Sequence, residues 1–184
     1  MKHTQTIYCK HGFTLIELMV TVAILGVLVA LAGPSFANLL ASNRASSVST
    51  EAAGAIMFAR TEAVKRGVRV TMCKSINTDQ AAPTCDASNS SSWANGWLIF
   101  TDTGTAGTID GTDVRLKVAQ PAIRDGSITS SSSNFANFLS FEPRGNLVPS
   151  GGVLTTSLVI CYNHHQRTLE IAPTGRLHTI AGSC

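Results

Sequence analysis

The sequence predicts an α+β fold, in which a long N-terminal α-helix packs on an antiparallel β-sheet globular head. Two patterns predict it: an apolar and then amphipathic run that ends near residue 66, and short β-branched or aromatic segments after it. The 184 residues suffice for one ordinary domain with an appendage. We expect residues 1–12 to form a short polar leader, residues 13–67 the helix and residues 68–184 the head.

The composition excludes a disordered polyelectrolyte and gives no general reason to expect nucleic-acid binding. Apolar residues make up 44% of the chain and charged residues 14%, below the roughly one quarter of charged residues in typical soluble domains. Lys2 and Lys10 are two of the 14 basic residues, so twelve basic residues oppose 11 acidic ones from Phe13 onward. A local basic patch remains open, but the net charge does not indicate a polyanionic partner.

Residues 13–33 form an apolar run that is long enough to cross a membrane, since about 20 helical residues span the hydrocarbon core. The two leader lysines favour a cytoplasmic N-terminus, which places the head on the other side. The alternative is a secretory signal peptide cleaved near residues 35–37. The run is longer than the apolar segment of a usual signal peptide. Its only charge, Glu17, is not needed in a signal peptide and is unfavourable inside a membrane.

The segment Gly12-Phe13-Thr14-Leu15-Ile16-Glu17-Leu18 resembles the signature of type IV prepilins, a leader ending in Gly followed by FTLIEL and an apolar helix. The resemblance implies that a prepilin peptidase cleaves after Gly12 and N-methylates Phe13. It implies a helix kink at Pro34, where pilins commonly carry proline. It also implies a single-pass protein of the bacterial inner membrane with the pilin fold, a periplasmic head and other minor and major pilins as partners.

Glu17 is the residue that we expect to act in assembly. Cleavage after Gly12 creates a cationic amine at Phe13, one helical turn from the Glu17 carboxylate. In a filament, the amine of one subunit can meet the carboxylate of a neighbour, so that two charges within the membrane neutralise each other. Small residues in the span would allow close helix packing: Ala23, Gly26, Ala30 and Gly33.

The helix is expected to continue under the head as an amphipathic segment. Its apolar face recurs at three- and four-residue steps and consists of Val48, Ala52, Ala55, Ile56, Ala59 and Ala63. Lys65 and Arg66 suit the negative end of the helix dipole, and Gly67 suits the position just beyond a helix. We therefore expect the helix to end at Arg66.

Seven segments of the head have strand character: VRVTMC, GWLIFTD, VRLKVAQ, FLSFEP, SLVICYN, RTLEIAP and RLHTI. Gly145-Asn146 and Thr174-Gly175 predict two of the hairpin turns between them. The serine-rich stretches around Ser88 and Ser130 are interpreted as solvated loops.

Two disulfides are expected in the oxidising periplasm. Cys9 would leave with the leader, and four cysteines remain: Cys73, Cys85, Cys161 and Cys184. Of the three pairings, we favour Cys73–Cys85, which closes a loop between strands, and Cys161–Cys184, which holds the chain terminus to a late strand. The other pairings stay open at this point.

No motif predicts enzymatic chemistry, a resident cofactor or a metal site. His164 and His165 lie in an expected hairpin turn without a paired nucleophile or acid. Zinc held by these histidines and Cys161 would lack the CxxC spacing of zinc sites. A Gly-rich loop contains a candidate calcium set, although its spacing differs from an EF-hand: Asp102, Asp110 and Asp113.

The head resembles the GspH/FimT-like group of minor pilins and pseudopilins through the order of several short motifs. These are the segment around Glu62 and Arg66-Gly67, residues 95–102 (NGWLIFTD), residues 141–145 (FEPRG), and Cys161 followed by Arg167 and Thr174-Gly175-Arg176. The resemblance implies a minor pilin that joins the pilus tip or initiation complex and primes assembly. A minor pseudopilin of type II secretion is the alternative; the cysteines and the GW-FxD segment are more similar to the type IV pilus members.

A further function implied by the group is DNA reception in natural transformation, because FimT-like members use basic residues near a GRxR-like motif. Here the matching residues are 175–178 (GRLH), and on a strand Arg176 and His178 share one face. His178 replaces the second arginine and is largely neutral at pH 7. Arg167 and Lys74 are further candidates for this surface.

Overall fold

The computed structural model describes residues 12–88, 92–121, 123 and 125–184, apart from the side chains at positions 32 and 34. The predicted leader before Gly12, including Cys9, lies outside the described residues. The chain divides into two compact units, one that ends at Leu40 and one that covers Ala41–Cys184.

Helix α1 spans Leu15–Arg66 and passes position 34 without interruption. Its end agrees with the prediction: Gly67 follows with a φ of +66°, and its N–H donates to the carbonyl of Ala63 at 3.0 Å. A bend at Pro34 stays a prediction.

The second half of α1 supplies one side of the head's core. All residues of the predicted apolar face are buried: Val48, Ala52, Ala55, Ile56, Ala59 and Ala63. Four of these six are alanines, which let the strands approach the helix closely. Ile56 is the largest of them and is fully buried. The helix and both sheets therefore share one apolar cluster.

The strands of the head form two four-stranded antiparallel sheets. The first has the order β3-β2-β1-β5, with bounds β1 Val70–Lys74, β2 Trp97–Thr101, β3 Arg115–Ala119 and β5 Phe138–Phe141. The second has the order β4-β6-β7-β8, with bounds β4 Ser127–Ser130, β6 Thr156–Tyr162, β7 His165–Ile171 and β8 Leu177–Ser183. Each predicted strand overlaps one of these, and the predicted fold class is confirmed.

The sequence does not predict strand β4, because a serine-rich stretch such as that around Ser130 is typical of a solvated loop. Ile128 is fully buried in the core and pairs with Ile160 of β6. The Ser92 hydroxyl bonds both the carbonyl of Ile128, at 2.8 Å, and its N–H, at 3.3 Å. One buried isoleucine and a hydroxyl from another segment therefore stabilise a strand whose composition favours solvent.

Candidate assembly segment and the head surface

The N-terminus of α1 is closed by a capping box made of Thr14 and Glu17. The backbone N–H and the hydroxyl of Thr14 donate to Oε2 of Glu17 at 3.2 and 3.3 Å, and the N–H of Glu17 donates to the Thr14 hydroxyl at 3.3 Å. These bonds satisfy N–H groups that the first helical turn leaves without a partner. Sequence reasoning missed this role of Glu17, although Thr-x-x-Glu is the spacing of a capping box.

The capping box holds the carboxylate beside the point where cleavage would create a new amine. Phe13 directly precedes Thr14 and is 89% exposed, and Glu17 is exposed in the first turn. A negative charge there also interacts favourably with the positive end of the helix dipole. Glu17 thus has two separable properties: a side chain that caps the helix, and a charge.

The first part of α1 presents an apolar surface that no other described residue of the chain covers. Every side chain described between residues 12 and 40 is exposed. Within the described chain, α1 is the one helix long and apolar enough to cross a membrane. A Cβ atom added at Gly26 or Gly33 would meet no atom within 4 Å, so both small residues lie on open helix surface.

In the head, two glycine turns meet at Arg60 of α1. Its Nε donates to the carbonyl of Gly145 at 2.8 Å. A Cβ atom at Gly175 would lie 2.5 Å from that same carbonyl oxygen and 2.7 Å from Nε of Arg60, and Gly175 has a φ of +73°. The N–H of Leu147 also donates to the carbonyl of Pro173 at 2.8 Å. The helix and a turn from each sheet are therefore joined at one point, which we call the turn joint (Arg60, Gly145 and Gly175).

Glu62 forms ion pairs with two basic residues in the last turn of α1. Its carboxylate lies 2.5 Å from Nε of Arg66 and 3.6 Å from Nζ of Lys65. The hydrogen bond from Arg66 lowers the pKa of Glu62 below its ordinary value, against the raising effect of burial, and the Lys65 charge adds to the lowering. Glu62 is therefore ionised and paired near neutral pH.

The candidate calcium residues are bound to protein donors. Buried Asp102 accepts hydrogen bonds from Arg69, from the Thr71 hydroxyl at 2.6 Å and from the N–H of Gly107 at 2.9 Å. Asp110 accepts from the N–H of Thr105 at 3.1 Å. No three His, Cys, Asp or Glu side chains are grouped for a metal ion within the described residues. The contacts of these carboxylates favour a structural role in the loop.

Asp113 holds the other end of this loop. Burial raises the pKa of Asp113. Hydrogen bonds from the N–H groups of Thr103 and Asp110 and from the Thr103 hydroxyl, with the nearby Arg69 charge, outweigh burial and lower the pKa overall. The Asp113 carboxylate thus ties the start of the loop to its end.

The structure joins Cys73 to Cys85 and Cys161 to Cys184, with Cα atoms 5.6 and 6.1 Å apart. This is the pairing favoured from the sequence. Since the sulfur of Cys161 is bonded to Cys184, it does not serve a zinc site with the neighbouring histidines. His165 begins β7 rather than lying in the turn, and His164 occupies the turn with a φ of +68°.

Two of the four candidate DNA-binding residues share a cleft on the outer face of the second sheet. Arg176 and His178 are exposed and line an open cleft of about 530 Å³, together with serine and threonine side chains. Glu170 lines the same cleft and is paired directly opposite His178. The carboxylate would repel a phosphate at this site.

The other two candidates lie elsewhere. Lys74 is 2% exposed and donates to the carbonyl of Ser88 from the first sheet. Arg167 lies on the same face of β7 as the buried Leu169, and its guanidinium donates to the hydroxyl of Ser42 at 3.2 Å. The structure does not bring either residue to the surface that carries Arg176: Lys74 is buried, and strand alternation places Arg167 on the opposite face of the second sheet.

Comparison with known families decides the assignment. A family described as Type II transport protein GspH matches residues 49–175, from α1 through β7 to the turn joint. The chain belongs to the GspH family. A second match, described as Prokaryotic N-terminal methylation motif, covers residues 8–33 of this GspH-family chain and includes Gly12, Phe13 and Glu17.

The chain is also similar to solved structures of a pilin. Two crystal forms of the type IV minor pilin FimU from Pseudomonas aeruginosa match with TM-scores of 0.57 and 0.54, both at 19% identity. They cover 75% and 73% of this chain and 89% and 91% of FimU. This likeness establishes a shared fold. No curated protein matches the chain significantly.

The family and the fold together place this GspH-family chain among pilin-type structural proteins, with a role like that of a minor pilin or pseudopilin. The apolar helix and the methylation motif are those of a membrane-anchored pilin with a soluble head.

Proposed function

We propose that the chain is a minor type IV pilin that joins the tip or initiation complex of the pilus and primes its assembly. A prepilin peptidase cleaves it after Gly12 and N-methylates Phe13. The observation that carries the proposal is the exposed apolar start of α1, which directly follows the cleavage motif and is capped at its N-terminus by Thr14 and Glu17. The methylation-motif match and the FimU-like fold support it.

The proposed assembly step is an exchange of partners by Glu17. In a lone subunit its carboxylate is bonded to Thr14 of the same chain. An uncompensated charge inside the bilayer costs about 2.5–3.5 kcal/mol on insertion scales. When a subunit joins the complex, its Phe13 amine can bind the Glu17 carboxylate of a neighbour, which neutralises both charges. The open surface at Gly26 and Gly33 allows the two helices to approach.

We further propose the bacterial inner membrane for the helix and the periplasm for the head. The two disulfides support this, because such bonds persist in oxidising compartments. The partners would be the prepilin peptidase and other minor and major pilins, bound through helix packing.

The two properties of Glu17 provide the test. Glutamine at this position can still cap the helix, since the capping box accepts Glu or Gln, but it carries no charge. Glu17→Gln and Glu17→Ala should both be inserted and cleaved, and both should be largely missing from sheared pilus and tip-complex preparations. Glu51→Gln, an exposed change on α1 beyond the predicted membrane span, should be incorporated like the unmodified chain. Normal incorporation of Glu17→Gln would refute the proposed charge pairing.

A second candidate is the minor pseudopilin of a type II secretion machine, because the family that matches residues 49–175 is described by that function. Deletion of the gene separates the two. Loss of surface pili with intact protein secretion supports the pilus function, whereas loss of secretion with normal pili supports the pseudopilus.

We do not extend the proposal to DNA reception. Of the four candidate residues, only Arg176 and His178 share a surface, and Glu170 lies opposite His178 there. Each phosphate contact should add about 0.9 to the slope with which the logarithm of the duplex-binding constant falls against the logarithm of the salt concentration. An electrophoretic mobility shift of DNA by this chain that weakens steeply with salt would therefore support DNA reception.

A further inference from the structure

An open cleft of about 450 Å³ lies beside the first turn that α1 contributes to the head unit. Polar side chains from three segments line it: Arg44 from α1, Asn95 from the residues just before β2, and Gln120 directly after β3. The buried residues Pro121 and Ile123 line it as well. Within the described residues, none of the three polar side chains has a hydrogen-bond or ion-pair partner. The cleft therefore presents polar groups that are available to a ligand.

The groups in this cleft favour an anion that carries a phosphate. The guanidinium of Arg44 presents its donors in a planar fork that matches two phosphate oxygens. The side-chain amides of Asn95 and Gln120 supply further N–H donors. The acidic residues nearest in sequence to this lining, Asp79 and Asp125, are exposed and do not line the cleft. An anion bound there would meet donors and a positive charge without a carboxylate opposing it.

Two observations favour a phospholipid headgroup over a soluble phosphate. Ile76 lines the same cleft and is 61% exposed, so an apolar side chain lies beside the phosphate donors. The exposed apolar surface of α1 continues to Leu40, and Arg44 follows four residues later, about 6 Å along the helix. The headgroup layer on each side of a bilayer is about 5–8 Å thick. The spacing from Leu40 to Arg44 therefore matches the distance from the hydrocarbon boundary to the lipid phosphates.

We propose that this Arg44 cleft (Arg44, Asn95, Gln120 and Ile76) binds the phosphate of an anionic phospholipid in the membrane that anchors α1. Arg44 and the two amides donate to the phosphate oxygens, and Ile76 packs against the apolar part of the lipid. A zwitterionic lipid fits less well, because its choline group brings a second positive charge beside Arg44. The bound headgroup would hold the head to the lipid surface until the subunit leaves the membrane. The inference goes beyond the proposed function and applies equally to a pilus or a pseudopilus subunit.

Lipid titration of the full chain in neutral detergent micelles tests the proposal. The probes are phosphatidylglycerol, which is anionic, and phosphatidylcholine, which is zwitterionic, and native mass spectrometry counts the bound lipids. We expect phosphatidylglycerol to bind at least about tenfold more tightly, since the two lipids differ in how well they engage a charged donor. Inorganic phosphate is added as a competitor, against chloride of equal ionic strength, and should displace little of the lipid.

Substitutions in the cleft assign the binding to its residues. Arg44→Gln should weaken phosphatidylglycerol binding about tenfold, the effect of losing one hydrogen bond to a charged group. Arg144→Gln is the matched control, because Arg144 is exposed in the turn after β5 and loses the same charge without changing the cleft. Asn95→Asp, which places a carboxylate beside the phosphate, should weaken binding as well. Since Arg44 and Asn95 are exposed, these variants should keep the urea midpoint of the unmodified chain.

The source of the phosphate is tested by Ile76→Ser, which should weaken phosphatidylglycerol binding because it removes the apolar contact. Complete displacement of the lipid by inorganic phosphate would assign the cleft to a soluble phosphate and overturn the proposal. Equal binding of the two lipids by the unmodified chain would also overturn it. Equal phosphatidylglycerol binding by Arg44→Gln and Arg144→Gln would place the lipid elsewhere on the chain, with the same consequence.

Discussion

Replacing Gly175 by alanine should disrupt the turn joint. The new Cβ atom would lie 2.5 Å from the backbone carbonyl oxygen of Gly145, a contact that no side-chain rotation relieves. Overpacking of this kind costs about 1–3 kcal/mol. The left-handed backbone at Gly175, with a φ of +73°, adds about 1–2 kcal/mol for a residue with a Cβ atom. We expect a total loss of about 2–5 kcal/mol in the free energy of unfolding.

Gly152→Ala is the matched control. Gly152 has a φ of +79°, and a Cβ atom there would meet no atom within 4 Å. This variant therefore carries the backbone strain of about 1–2 kcal/mol without the collision. The difference between the two variants measures the close packing of the turn joint.

The assay is urea unfolding followed by tryptophan fluorescence. Both tryptophans of the chain, Trp93 and Trp97, are 1% exposed in the core, so their emission reports the loss of the head. The full disulfide-bonded chain in detergent is used for all three proteins. Equal losses for Gly175→Ala and Gly152→Ala would refute the reasoning, because the contact with Gly145 would then contribute nothing.

Two further predictions concern the end of α1 and the C-terminal disulfide. The pKa of Glu62 is lowered in the folded protein, chiefly by the Arg66 hydrogen bond. Because of this shift, the ion pair makes its full contribution to stability at pH values above the pKa of an unfolded Glu, about 4.3. The contribution is lost as the pH falls through the lower pKa of the folded state. Glu62→Gln should therefore lower the urea midpoint at pH 6, and its difference from the unmodified chain should disappear at strongly acidic pH; a difference independent of pH would contradict this. Replacing Cys161 and Cys184 together by serine should lower the free energy of unfolding by about 3 kcal/mol. It should also increase the rate of amide hydrogen exchange in β8 more than in β6. An equal increase in both strands would contradict a local role of this disulfide.

The helix could be predicted because its signals are local. The three- and four-residue spacing of apolar residues from Val48 to Ala63 marks the face that is buried, and Gly67 marks the end. The T-x-x-E spacing of the capping box is equally local.

Other features depend on residues distant in sequence. The stability of β4 relies on a hydroxyl of Ser92, 36 residues before Ile128, which its serine-rich composition does not indicate. Lys74 can be buried because its ammonium group donates a hydrogen bond to the carbonyl of Ser88. Ser88 lies on the segment that the Cys73–Cys85 disulfide holds against β1. Neither contact follows from the properties of the residue alone.

Arg167 is an intermediate case. Leu169 and Ile171 are apolar and alternate with polar neighbours, so strand parity already places Arg167 on their face and away from His178. The turn joint was not predictable in the same way. The sequence identifies both of its glycines as turn residues, but their meeting at Arg60 depends on how the two sheets pack on α1.

The most direct test of the proposed function is the mass of the N-terminal peptide of the mature chain, isolated from membranes. Cleavage after Gly12 and methylation predict a peptide that begins with N-methylated Phe13 and retains the whole apolar segment. A mature chain that begins beyond residue 32 would contradict it, since the head would then lack the helix through which a pilin is anchored and assembled.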